Sequence, residues 1–178
     1  MKFIANLIDA LNEHVGRAAI WLVLLSALVS AGNAGVRYLF GMSSNGMLEI
    51  QWYMFSLIFL LCAGYTLKHD GHVRIDVIYG RLSKRSQAVI DVFGALVFLL
   101  PVALFITKMS WDMFLLSYQI NEVSPDAGGL LRWPIKLAIP VGFALLSLQG
   151  ISEIIKKILF LLDRQPSTPA EAHDERVA

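Results

Sequence analysis

Hydrophobic positions run almost uninterrupted through four stretches of this chain, at residues 18–40, 47–67, 87–109 and 134–155. Each is about 20 residues long, enough at about 1.5 Å per residue to cross a hydrocarbon core of about 30 Å. The pattern predicts four transmembrane helices. A different pattern precedes them. Phe3, Ile4, Leu7, Ile8, Leu11 and Val15 recur at helical spacing, while Lys2, Asn6, Asp9, Asn12 and Glu13 take the other side. That periodicity predicts a short N-terminal amphipathic helix lying on the membrane surface. A cleaved signal peptide is the competing reading, but Asp9 and Glu13 make a poor n-region and the apolar run is long for an h-region. The fold class expected is an all-α integral membrane protein, with residues 1–163 as its membrane domain and a polar, disordered tail at 164–178.

Polar residues break the apolar runs at few places, and each place carries an expectation. In the first span Ser26, Ser30 and Ala34 form one stripe of small residues and Ala27, Ala31 and Gly35 the next, a face that lets another helix approach closely. Asn33 and Arg37 follow on the same side. The second span opens with Glu49, Gln51, Trp52 and Tyr53, and a carboxylate so near the lipid needs a partner. Arg37, across the short turn, is the nearest cation in sequence, so an Arg37–Glu49 pair is expected to join the first two spans, with Trp52 as an interface anchor. Asp91 is placed in the first turn of the third span and Pro101 should kink it. Gln149 and Ser152 in the fourth span suit hydrogen bonding between helices. Between the last two spans lies a connector with Glu122, Pro125, Asp126, the Gly128–Gly129 pair, Arg132 and Trp133, richer than a bare linker needs.

Charge then sets an orientation. Of the fifteen basic residues, Lys2, Arg17, Lys68, Arg74, Arg81, Lys84 and Arg85 fall on one side, with Lys156, Lys157, Arg164 and Arg176. Only Arg37, Lys108, Arg132 and Lys136 fall on the other. The positive-inside rule puts the first side, with both termini, in the cytoplasm. Hydrophobic residues make up 56% and charged residues 16% of the chain, against about 25% charged in soluble domains. A net charge of +1 gives no reason to expect nucleic acid as a partner. The single cysteine, Cys62, lies in an apolar run and rules out an intrachain disulfide.

Candidate chemistry gathers in the loop from Lys68 to Arg85, where His69, Asp70, His72 and Asp76 stand at spacings that invite a zinc-like ion. Gly71 and Arg74 interrupt the set, and no second cluster completes a site, so a structural loop is favoured and no metal or cofactor is expected. On that reading His72, Arg74 and Asp76 brace the cytoplasmic loop. A membrane enzyme using the cluster is the third-ranked class. A transporter acting alone needs ionisable groups at mid-membrane, and the middles of all four runs lack them. The protein is therefore expected to assist another one, without being an enzyme. The runner-up is a self-sufficient, small homo-oligomeric transporter or channel.

An ordered set of residues supports the first alternative. Arg37-Tyr38-Leu39-Phe40-Gly41, Glu49 with Trp52, Gly64 through His72-Val73-Arg74-Ile75-Asp76, and Arg81-Leu82-Ser83 are followed by Trp111, Glu122-Val123-Ser124 and Gly128-Gly129. Trp133-Pro134-Ile135-Lys136, Pro140-Val141-Gly142-Phe143 and Leu148-Gln149-Gly150 complete it. The set, spanning residues 10–160, resembles the small membrane subunit of tripartite ATP-independent periplasmic (TRAP) transporters. The resemblance implies a bacterial inner-membrane scaffold that braces a large permease subunit within membrane lipid. That partner carries the substrate and sodium sites, and a periplasmic substrate-binding protein delivers an organic acid. On this reading Asn33, Arg37, Glu49, Trp52 and Gln149 are candidates for helix or partner packing, and Glu122, Asp126, Arg132 and Trp133 for a periplasmic docking surface.

Overall fold

A computed structural model of the chain describes residues 2–42, 44–71 and 79–162. Within them the apolar runs become α1 (Lys2–Phe40), α2 (Asn45–Lys68), α3 (Lys84–Gly94), α4 (Leu100–Gln119) and α5 (Trp133–Leu162), with a π-helical turn at Ala95–Leu99 joining α3 to α4. That turn makes Lys84–Gln119 one continuous third span, so four helices are long and apolar enough to cross a membrane. The loop residues His72, Arg74 and Asp76, expected to brace the loop between the second and third spans, and the tail lie outside the described residues.

Local chemistry sets the helix ends. Ser83 caps α3, its Oγ accepting the Ser86 N–H at 3.2 Å, which satisfies one of the first-turn donors. Asp91 consequently falls two turns into α3 instead of in its first turn. Both α2 and α4 end on a left-handed residue that is not glycine, Asp70 (φ 51°) and Asn121 (φ 47°). In each case the next N–H returns to the helix, Gly71 to the Thr66 carbonyl at 2.9 Å and Glu122 to the Ser117 carbonyl at 3.0 Å. This is the Schellman arrangement, with Asp or Asn tolerating the left-handed geometry. Pro101 has no N–H to give and its ring crowds the preceding turn. The disturbance takes the form of the π turn just before it, in which the Leu100 N–H reaches back five residues to Ala95.

The N-terminal segment differs from expectation. It is helical, but it continues into the first span without a break, as part of the 39-residue α1. Its polar side does not face away from the bundle. Asn12 is fully buried, Asp9 and Asn12 turn toward α5, and Phe3, Ile4, Leu7 and Leu11 are the exposed residues. A helix with its polar stripe against protein and its apolar stripe outward suits a lipid surround, where the solvent is the apolar phase.

The last helix is the post of the structure. α1, α2, α3 and α4 all pack on α5, and α1 also packs on α2, while no extensive contact among the described residues joins α2 to the third span. In the most apolar stretch of α5, 44% is buried inside the chain, against 17% or less in the other spans. Glycine makes the closest approach possible: a Cβ at Gly142 would lie 2.7 Å from the Leu60 carbonyl oxygen. The result is two flanks, α1–α2 and the third span, hung on one central helix. Of the small-residue stripes of the first span, Ala27, Ser30, Ala31 and Ala34 are exposed and take no part in this packing, while Ser26 and Gly35 are half-buried.

Candidate functional site at the connector end

The helices alternate in direction, so one end of the bundle gathers Phe40, Asn45, Gln119 and Trp133 and the other gathers Lys2, Lys68, Lys84 and Leu162. The segment from Asn121 to Arg132 covers the first of these, the connector end. Its two arms meet in an antiparallel bridge between Val123 and Leu131. The Ser124 N–H donates to the Leu130 carbonyl at 2.9 Å and the Arg132 N–H to the Glu122 carbonyl at 2.8 Å. Gly128 turns the tip at φ +74°, a conformation that glycine adopts without steric cost. The Asn45 side-chain amide then donates to the Ala127 carbonyl at 3.1 Å, tying the tip to the start of α2.

Beneath this small hairpin lies Glu49, 3% exposed. Its carboxylate accepts the Leu130 N–H at 2.6 Å and the Ser124 hydroxyl. The cation beside it is Arg132, with Nη2 3.5 Å away, not Arg37, which is exposed at the end of α1. The expected Arg37–Glu49 pair is thereby corrected: the carboxylate sits inside the hairpin, and the cation that reaches it closes the hairpin's second arm. Arg132 also donates to Ser124 Oγ at 3.0 Å and lies 5.2 Å from the centre of the Trp52 ring, a cation–π contact. Tyr53, buried beside Glu49, donates its hydroxyl to the Leu131 carbonyl at 2.9 Å. Lys136, at the start of α5, pairs with Glu122, and its ammonium holds the Glu122 carboxyl below the ordinary glutamate range. Trp133 meets Tyr118 edge-on at 5.4 Å.

Of the residues singled out by sequence, the structure brings Glu49, Trp52, Glu122, Arg132 and Trp133 together. Asp126 stands at the exposed tip, where its carbonyl accepts the Gly129 N–H at 3.0 Å. Asn33 is buried in α1, its side-chain oxygen without a hydrogen-bond partner among the described residues. Gln149 belongs to the opposite, loop end. There Asn12 donates to Gln149 Oε1 at 3.0 Å, and Gln149 donates to Asp9 at 2.9 Å and Glu153 at 3.2 Å. Ser152 donates to Asp9 at 2.7 Å, and Lys156 bridges Asp9 and Glu153 at 2.7 and 2.8 Å. Glu13 collects Arg17, Lys68 and His69 within 2.9 Å. Sequence reasoning missed Ser124, Tyr53, Asn45, Asp9 and Asn12 as members of these clusters. The helical spacing of Asp9 and Asn12 was the available signal for the last two.

Chemically, the connector end is a clamp. A carboxylate engaged by a backbone N–H, a hydroxyl and a guanidinium has little basicity left to offer a substrate. No group of three or more His, Cys, Asp and Glu side chains among the described residues is placed to hold a metal ion. Elsewhere the Asp, Glu, Lys, Arg and His residues of the spans sit at one end or the other: none lies between Arg17 and Arg37, between Glu49 and Lys68, between Asp91 and Lys108, or between Lys136 and Glu153.

Comparison with known proteins agrees with a membrane component of this shape. Over 107 residues the chain is 30% identical to the C4-dicarboxylate TRAP transporter small permease protein DctQ of Pseudomonas aeruginosa. That match takes in 60% of this chain and spans half the length of that relative. The family described as tripartite ATP-independent periplasmic transporters, DctQ component, matches residues 26–160, from the C-terminal part of α1 through the connector clamp to near the end of α5. The chain belongs to that family, the small membrane component of TRAP transporters.

Proposed function

We propose that this chain is a non-catalytic brace for a large permease subunit, in a sodium-coupled, binding-protein-dependent secondary transporter that imports an organic acid. The observation that carries the reading is the emptiness of the span interiors. Every span crosses the middle of its apolar stretch without an Asp, Glu, Lys, Arg or His side chain, and Glu49, the carboxylate at the connector end of α2, is consumed by the chain's own connector. A substrate or sodium ion needs polar ligands at mid-membrane, so on this reading those ligands belong to the partner. The exposed apolar flanks of α1 and of the third span supply lateral surface for a membrane partner. Arg37 on α1 is the polar point of that flank, and Asn33, buried one turn before it, is a candidate for helix packing.

The basic residues favour cytoplasmic termini, with the connector on the periplasmic side of a bacterial inner membrane. The hairpin then stands where a binding protein would dock, with Asp126 at its tip and Glu122, Arg132 and Trp133 holding its shape. The P. aeruginosa relative is named for C4-dicarboxylates, which makes a small dicarboxylate the first substrate to try. Purification of the tagged chain in mild detergent should bring down a large hydrophobic permease, and flux in proteoliposomes should require both. Flux with this chain alone would overturn the reading and establish a self-sufficient transporter. Replacing residues 122–131 by a glycine–serine linker should leave the permease bound and abolish stimulation by the binding protein. Unchanged transport would remove the docking role.

A further inference from the structure

Because α2 and the third span both hang on α5 without closing on each other, a cleft runs between them along one stripe of α5. Two cavities line up in it. The one at the connector end, about 530 Å3, is walled by Trp52 and Phe59 of α2, Met113 of α4 and Ile139 of α5. The other, about 890 Å3, continues toward the loop end between Leu67 of α2, Phe98 and Val102 of the third span, and Phe143 and Leu146 of α5. Phe59, Phe98 and Val102 are exposed, so the cleft is open along its side to whatever surrounds the chain in the membrane.

We propose that this cleft seats one apolar transmembrane helix of the large permease subunit and is the surface through which the brace holds its partner. The inference rests on the brace reading and gives that contact a place. Length is the first argument. From Lys136 to Lys157, wall residues at the two ends, α5 rises roughly 32 Å, which matches a hydrocarbon core of about 30 Å. The charged wall residues stand only at those ends, Arg132 and Lys136 at one and Asp70, Asp91, Glu153 and Lys157 at the other. Between them the described walls are apolar except for Ser56, whose hydroxyl donates to the Trp52 carbonyl at 2.8 Å. The occupant is therefore apolar across the whole membrane and meets polar groups only at its ends.

Periodicity is the second argument. On α5 the wall positions Lys136, Ile139, Phe143, Leu146, Gly150 and Glu153 alternate three and four residues apart. A repeat of 3.5 residues is the seam of a left-handed helix pair crossing at about 20°, so a second helix stays in register with α5 from end to end. Contact is the third. No hydrophobic drive holds two proteins together in lipid, and association rests on packing. A partner helix laid on a convex flank meets one helix of this chain, whereas one seated in the cleft meets α2, α5 and the third span at once. The third-span wall also admits a close approach. Gly94 lines it, and a Cβ there would meet nothing within 4 Å, leaving room for a neighbouring backbone. The π turn lies in the same wall and contributes Ala95, Phe98 and Leu99.

The test is photo-cross-linking in the intact complex, purified from cells that co-express the full chain and the large permease. Benzoylphenylalanine placed at Ile139, Leu146 or Val102 should attach to one and the same permease helix. The Ile139 and Leu146 attachments should fall about two turns apart on it, as they do on α5. Gly94→Phe and Val102→Trp fill the cleft from the third span and should each lower recovery of the permease several-fold, with the helicity of the chain unchanged by circular dichroism. Adducts with lipid alone, in a complex that still contains the permease, would overturn this inference and leave the brace reading standing. Attachments scattered over several permease helices, or unchanged recovery in both filling variants, would do the same. A chain recovered with no permease at all would overturn both.

Discussion

At the connector end, one carboxylate from α2 is wrapped by a hairpin that contributes a backbone N–H, a hydroxyl and a guanidinium. At the loop end, two neutral amides, Asn12 and Gln149, sit fully buried between α1 and α5, with Asp9, Ser152 and Lys156 around them. Both clusters gather polar groups that lipid would not tolerate, although the Asn12 side-chain oxygen has no hydrogen-bond partner among the described residues, and they act on different things. Glu49 organises a loop, and its ligands lie within twelve residues of one another in the chain. The Asn12–Gln149 contact spans 137 residues and fixes the register of the first helix on the last. A local clamp and a long-range lock should therefore fail differently.

The lock should show the larger effect on overall stability. Asn12→Ala strands Gln149 Oε1 in the core, and a buried acceptor left bare costs about 1–2 kcal/mol. Gln149→Ala should cost as much, and the double variant less than the sum, with a coupling of about 0.5–2 kcal/mol between them. Chemical or thermal denaturation in detergent gives the cycle. Simple additivity would show that the two amides act independently and that the lock is elsewhere, at Asp9 and Lys156.

The clamp should fail without separating the helices. Glu49→Gln keeps the shape but gives up the charge that draws in Leu130, Ser124 and Arg132. Amide exchange at Leu130 should then be roughly tenfold faster, while exchange in α1 and α5 stays as in the parent. If protection fell along α2 and α5 as well, the carboxylate would be holding helices together and the contrast between the two ends would collapse.

These outcomes also bear on how much could be inferred without coordinates. The spans were legible because twenty apolar residues have few other uses, and the connector stood out by composition. Glu49 was legible as a group that needs a partner. Its partner was not, because nearness in sequence pointed to Arg37 while the hairpin brings Arg132 from 83 positions away. The α1 polar stripe shows a more general limit. Periodicity reveals two faces of a helix but not which face meets the solvent, and in lipid the usual assignment inverts. Asp9 and Asn12 looked like a water-facing side for that reason. The left-handed ends at Asp70 and Asn121 were hidden too, since glycine is the usual sign of such a turn.

A subtler way to probe the clamp is acid. The Lys136 ammonium holds the Glu122 carboxyl below its ordinary value of 4.5. A depressed folded-state value means that the bond contributes fully above about pH 5 and fades as pH falls through the lowered value. The connector should loosen on the acid side, detected as faster proteolysis at residues 124–129 as pH falls below the ordinary glutamate value of 4.5. Glu122→Gln should remove that acid step and leave the neutral-pH rate slightly raised. An acid step that survives in Glu122→Gln would belong to another carboxylate of the hairpin, with Glu49 the first to test by the same substitution.

The smallest effect expected is at Arg37, and it separates the two possible cations of the clamp. Arg37 ends α1 in an exposed position, whereas Arg132 touches Glu49, Ser124 and Trp52 at once. Arg37→Ala should change the stability of the isolated chain by no more than about 0.5 kcal/mol, as for other exposed sites, and leave Leu130 exchange untouched. Arg132→Ala should accelerate that exchange, because removing the guanidinium leaves the Ser124–Glu49 bond without its neighbouring donor. Arg132→Lys should restore only part of the protection, since an ammonium cannot lie flat over Trp52 while donating to Ser124. If Arg37→Ala instead weakened the chain as much as Arg132→Ala, the clamp would extend across the turn to α1, and the connector end would be a helix lock like the loop end. If it weakened only recovery of a permease partner, Arg37 would belong to the outward flank of the brace.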